Sequence, residues 1–340
     1  MKNRIYLSLY LPDRTNDPCM YERILKELTD KQIVSPEQAG KIDRFEKTAP
    51  FSLHWELKTL LYLGVLLLNV GLGVLIYEHI DTLGHTVLLI MIGLVCAGCF
   101  YYVIRYRKPF SNGEVESATP YYDYVLLLGC LSFLLLEGYW QYQYRIFGER
   151  YGLATFIPMV LFFVLAYLFD NRGVLSLAIT ALASWLGITV TPQELLSRND
   201  FNSATIIQTG VFLGVLLAAI VFTSERRDFK KHFSMTYLNF SVHLLMVSCL
   251  SGIIALDNWL VYVPLLALSV GSYLWLARER QSFYLLVVAV VYAYIGLSYL
   301  FMKTFPRLIL EAYLLYYLFS GAAVVVMLIN HKKILKTQRL

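Results

Sequence analysis

Charge is scarce in this sequence. Only 16% of its 340 residues are Asp, Glu, Lys or Arg, against 58% hydrophobic, and the mean hydropathy is +0.57. A water-soluble domain needs more polar surface than this, so the composition excludes an ordinary soluble fold and puts the chain in a lipid bilayer. Cysteine is also sparse. Cys19, Cys96, Cys99, Cys130 and Cys249 are an odd number lying mostly in apolar runs, which excludes a disulfide framework and predicts free thiols. Cys96 and Cys99 have the spacing of a metal pair, but without a second pair or a nearby histidine they read as small packing residues, and no metal is expected. The sequence has no nucleophile beside a recognisable base, no metal-binding helix motif and no phosphate-cradling loop. It therefore reads as non-enzymatic, with an intramembrane enzyme as the minor alternative, and no cofactor is implied. The net charge of +5 does not imply nucleic acid, because polytopic proteins collect basic residues in their inner loops.

Long apolar runs are what the chain does have. Ten approach the length of a membrane span: residues 57–77, 86–104, 124–140, 152–169, 174–190, 205–223, 235–255, 259–277, 283–302 and 308–329. The expected fold is all-α, a polytopic bundle of about ten transmembrane helices. Ahead of it, the opening MKNRIYLSLYLPDRTND lacks a small-residue cleavage site and does not read as a signal peptide. Asp17-Pro18 and Ser35-Pro36-Glu37-Gln38 then read as the caps of two short amphipathic helices, the second with a capping box. Three segments result: a cytosolic part with a helical hairpin over 1–54, a transmembrane domain over 55–330, and a basic tail over 331–340.

Lysine and arginine set the orientation. Arg105, Arg107, Lys108, Arg172, Arg226, Arg227, Lys230, Lys231, Arg278 and Arg280 fall in loops on one side. The tail adds Lys332, Lys333, Lys336 and Arg339 to that side, whereas the other carries Arg145, Arg150, Arg198, Lys303 and Arg307. By the positive-inside bias both termini are cytoplasmic. Within the spans, Gly210, Gly214 and Ala218 form a small-residue stripe suited to helix contact and to an oligomer interface, and Ser176, Thr180 and Ser184 form a polar one. Pro158 and Pro264 are candidate kinks. Pro158 precedes Tyr167-Leu168-Phe169 by the interval at which Pro264 precedes Tyr273-Leu274-Trp275, an echo that suggests a parallel repeat.

Polar residues at membrane depth are costly and so informative. The candidates are Asn69, His243 and Glu311. For His243 a hydrogen bond to a neighbouring helix competes with a proton relay. A second group lies toward the outer side: Glu78, His79, Asp81 and His85 in the first outer loop, and Glu137, Trp140, Tyr142 and Arg145 in the next. Carboxylates beside aromatics suit a sugar or a lipid headgroup, while Trp and Tyr also anchor membrane interfaces and Asp81 is placed to cap a helix.

The segment ILKELTDKQIVSPEQAGKI followed by LKTLLYLGVLLLNVGLGVLIYEHIDTLGH resembles the bacterial predicted membrane proteins grouped as DUF2157. The resemblance is best over the hairpin and first two spans, about the first third of the chain, and it implies a multi-pass protein of the bacterial cytoplasmic membrane without implying an activity. The expected function is a sensing, scaffold or ligand-binding module. A secondary transporter or a flippase for lipids or lipid-linked substrates is the alternative. Its expected partners are the bilayer and a cytosolic protein docking on residues 18–46, with no nucleic acid.

Overall fold

A computed structural model describes Thr29, Ser35, residues 38–40 and 54–115, Ser117, Thr119, residues 121–148, 150–190, 203–307 and 310–331, and Leu335, with side chains described outside 54–58, 75–83 and 190. The chain forms two compact units, Met1–Leu61 and Tyr62–Leu340. In the first, the capping box is made: the Gln38 N–H donates to Ser35 Oγ at 3.2 Å and the Ser35 N–H donates to Gln38 Oε1 at 3.1 Å. Most of the expected hairpin over 18–46, the Asp17-Pro18 cap and most of the basic tail lie outside the described residues.

Ten further α-helices lie among the described residues. They are α1 (His54–Leu83), α2 (His85–Arg105), α3 (Tyr122–Tyr144), α4 (Tyr151–Phe169), α5 (Arg172–Val190), α6 (Ala204–Arg226), α7 (Ser234–Ala255), α8 (Tyr262–Glu279), α9 (Phe283–Thr304) and α10 (Leu310–Ile329). Among the described residues nine helices, α2 to α10, are long and apolar enough to cross a membrane, and α1 holds the shorter apolar stretch Thr59–Val74. This agrees with the all-helical, roughly ten-span expectation. Short 3₁₀ turns, Lys231–Phe233 and Trp259–Val261, lead into α7 and α8.

The second unit is packed around α7, whose membrane window is 56% buried, whereas that of α10 is 0% buried. Close approach to α6 makes this possible. A Cβ on Gly214 would lie 2.9 Å from the backbone nitrogen of Leu245, and one on Gly210 would strike Ser248. The Ser241 hydroxyl uses the gap, donating to the Gly214 carbonyl at 2.6 Å. Gly210 and Gly214 of the small-residue stripe thus face α7 of the same chain, with Gly214 buried there, while Gly210 and Ala218 stay partly exposed. The Ser176, Thr180 and Ser184 stripe behaves differently. Each hydroxyl donates to the carbonyl four residues earlier, which lets a polar side chain face outward without an unmet donor.

The tyrosine echo has a structural basis. The Tyr167 hydroxyl meets that of Tyr237 at 2.9 Å, and the Tyr273 hydroxyl meets Ser241 Oγ at 2.6 Å, so α4 and α8 rest on successive turns of α7. The prolines are not equivalent. Pro158 lies inside α4, but Pro264 occupies the first turn of α8, where its missing N–H has no helical partner to lose. Cys96, Cys99, Cys130 and Cys249 are free and buried. Cys96 Sγ faces the Gly129 carbonyl at 3.7 Å, joining α2 to α3.

Candidate functional site

Among the described residues of the second unit, a dense polar cluster lies at the end of the bundle that carries the basic loops. Asp170 closes α4 in a left-handed conformation, φ 58°, which an aspartate tolerates better than most residues. Its Oδ1 accepts from Lys230 Nζ at 2.9 Å and from His232 Nε2 at 2.5 Å, and its Oδ2 accepts from the Val115 N–H at 2.5 Å. The side chains of Lys230 and Asp170 are only 1% and 2% exposed. Lys230 is itself left-handed, its N–H donates to the Asn112 carbonyl at 3.0 Å, and its ammonium lies 4.9 Å from the centre of the Phe110 ring.

The next residue extends this cluster. Asn171 Nδ2 donates to Asp123 Oδ1 at 3.0 Å, while Asn171 Oδ1 accepts from the Val174 N–H at 2.9 Å and so satisfies the first turn of α5. The Ser117 hydroxyl donates to Asp123 Oδ2 at 2.6 Å, and Arg172 pairs with Glu114 at 2.7 Å on the exposed side. Three connections that are remote in sequence, 106–121, 170–171 and 227–233, are thereby tied around one carboxylate. A cavity of about 20 Å³, bordered by Lys108, Phe110, Val115, Tyr122, Asp170 and Lys230, is the space left beneath them, roughly room for one water.

With three donors on one carboxylate, Asp170 is committed to binding the loops. Burying the pair costs desolvation that the mutual attraction and added hydrogen bonds offset, so the cluster specifies an arrangement more than it adds stability. Its chemistry is that of a latch. Among the described residues no group of three or more His, Cys, Asp or Glu is placed to hold a metal. Asp170 and His232 are not singled out by sequence reasoning, and Lys230 enters it only as an orientation marker. The signal that was available is the polar turn Asp170-Asn171-Arg172-Gly173, too short for solvation alone, between two apolar runs.

At the opposite end the expected outer cluster separates. Glu137, Trp140, Tyr142 and Arg145 do not share a loop: α3 continues to Tyr144, and Arg145 caps it with φ 46°. Trp140 and Tyr142 are exposed, as an interface belt requires. Glu137 turns inward and is 8% exposed, and its Oε1 has no hydrogen-bond partner. His85 begins α2, with Nδ1 at 2.6 Å from the Tyr139 hydroxyl. Glu78, His79 and Asp81 belong to α1, and their side chains lie outside the described ones.

The intramembrane candidates have partners of different kinds. Asn69 Nδ2 donates to the Val65 carbonyl at 2.9 Å, leaving Oδ1 buried and unmatched. Glu311 is exposed in the first turn of α10, where a carboxylate suits the helix dipole. His243 bridges two helices. Tyr284 gives its only proton to Asn239 Oδ1, so it accepts from His243 Nε2 at 2.8 Å, and Nδ1 accepts from the Tyr292 hydroxyl at 2.9 Å.

The hairpin cap, the α2–α3 contact and the Asp170 side of the loop latch fall within one stretch of sequence that also matches a known family. Residues 26–175 match DUF2157, described as a predicted membrane protein. The DUF2157 match runs past the two first spans to the start of α5, and so takes in Asp170, Asn171 and the whole 106–121 connection. Lys230 and His232, which close the latch, lie beyond it. No curated protein and no solved structure matches the chain.

Proposed function

We propose that this protein is a non-enzymatic module of the bacterial cytoplasmic membrane, with both termini in the cytoplasm, that senses or scaffolds through its cytoplasmic end. The observation supporting this reading is the latch: three connections drawn onto the buried Asp170 give the basic end a defined surface bearing Glu114 and Arg172. A bundle that merely filled the membrane has no need of such a surface. The positive-inside bias supports its cytoplasmic placement. A photocrosslinking residue at Glu114 or Arg172 should then yield a discrete adduct with a cytosolic protein in living cells. Adducts formed only from Tyr142 or Leu260, at the opposite end, would overturn the reading. A reporter fused after Leu340 that is active only outside the cytoplasm would overturn the orientation.

A second reading, a secondary transporter or flippase, is favoured by the polar chain Asn239–Tyr284–His243–Tyr292. It extends about 14 Å along α7 from its basic end, and polar chains at membrane depth often mark ion pathways. Proton uptake by proteoliposomes that is unchanged in His243→Ala would count against it.

A further inference from the structure

Glu137 is a buried carboxylate on an apolar helix with an oxygen that meets no donor. Burying a charged carboxylate without a counter-ion is expensive, and ionisable groups at membrane depth are usually paired or functional. Neither description fits a residue that simply fills space. An apolar side chain of similar size would pack there without the unmet oxygen.

The neighbours make the position specific. One turn further along α3, Gln141 is buried to the same degree, and both ends of its amide are occupied: Nε2 donates to the Gly148 carbonyl at 3.1 Å, and Oε1 accepts from the Phe147 N–H at 3.0 Å. Gln141 therefore pins the α3–α4 loop one turn above Glu137, and its second amide N–H makes no bond to Glu137 Oε1. The helices packed most closely against α3 are α2, α4 and α5, and Tyr62 of α1 also meets Tyr124 of α3 edge-on; the side chains of Glu78, His79 and Asp81 of α1 lie outside the described ones. At this end α2 carries His85, engaged with Tyr139 of α3, and α4 begins with the exposed Arg150 and Tyr151. On α5 no titratable group stands between Gly173 and Thr189. Arg145 is exposed on the loop, and Glu149 lies outside the described residues. Among the described residues no cation forms an ion pair with Glu137.

A proton is the smallest ligand that removes the charge. We propose that Glu137 is a proton-binding site of the membrane domain, loaded and unloaded from the end of the bundle closed by the Gln141-pinned loop. This goes beyond both functional readings, since a sensor and a transporter can each use such a site, and it rests on neither. Proton binding requires only that the carboxyl oxygen gain a hydrogen and lose its charge, with no other bond changed.

The test is labelling of the full chain in lipid nanodiscs with dicyclohexylcarbodiimide, an apolar reagent that attacks protonated carboxyls in membranes, followed by mass-spectrometric mapping. Glu137 should be the modified residue of α3. Its labelling should fall about tenfold for each pH unit above its midpoint, and Gln141→Ala, which frees the loop, should raise the initial rate. Glu137→Gln should remove the label while the protein remains monodisperse. Absence of label on Glu137 in the folded wild-type protein, or labelling independent of pH, overturns the proposal. Protection by sodium ions at fixed pH also overturns it, assigning the carboxylate to a metal cation instead.

Discussion

The two ends of the second unit treat a buried carboxylate in opposite ways. At the basic end Asp170 receives an ammonium, an imidazole and a backbone N–H. At the other end Glu137, similarly hidden, leaves an oxygen unmatched. Burial alone therefore does not distinguish structure from chemistry, and the number of donors committed to the group does. Asp170 has spent its hydrogen-bonding capacity on loops, and Glu137 has capacity left for a ligand.

The sharpest way to break this comparison is to remove one partner at each end. Lys230→Met leaves Asp170 buried without its ammonium, and breaking a buried pair from one side costs about 3–5 kcal/mol. The unfolding midpoint in detergent should drop steeply, and the double variant Asp170→Asn/Lys230→Met, which removes both charges but keeps a residue that tolerates the left-handed conformation and an acceptor for the Val115 N–H, should recover much of the loss. Glu137→Gln, by contrast, should leave the midpoint unchanged or raise it. A loss in Glu137→Gln as large as that in Lys230→Met would mean that Glu137 has a structural partner after all, and the contrast would fail.

Smaller effects should sharpen the picture. Asn171→Ala removes both the bond to Asp123 and the acceptor for the first turn of α5, with an expected cost of about 1–2 kcal/mol. Gln141→Ala frees the α3–α4 loop at a cost of about 1 kcal/mol. Hydrogen exchange should then quicken at Phe147 and Gly148 while the 106–121 connection stays protected. Faster exchange at both ends would show that the two are coupled and not separate.

Much of the fold is legible in the sequence because the membrane makes helices announce themselves: each apolar run long enough to span became a helix, differing at its ends by a few residues. Those differences come from caps. The third run continues past Trp140 to Tyr144, where Gln141 satisfies its amide on the loop backbone, so residues that read as a polar loop remain helical. The latch is illegible for another reason. Asp170 and His232 are 62 positions apart, and nothing in the local pattern of either says which loop will reach the other. The glycine stripe on α6 occupies a middle ground: its spacing predicts a close helix contact, but only packing shows that α7 of the same chain supplies the partner.

The smallest expected effect tests what remains of the aromatic cluster. Tyr142 is 78% exposed and Trp140 is 48% exposed, and neither has a partner in common with Glu137. If they are interface anchors, their value lies in contact with lipid headgroups and not in protein packing. Tyr142→Ala should therefore change the unfolding midpoint in detergent by no more than about 0.5 kcal/mol, and carbodiimide labelling of Glu137 should be indifferent to it. Were Tyr142→Ala to alter that labelling, the exposed aromatics and the buried carboxyl would belong to one site, and the separation drawn between the surface of α3 and its interior would have to be abandoned.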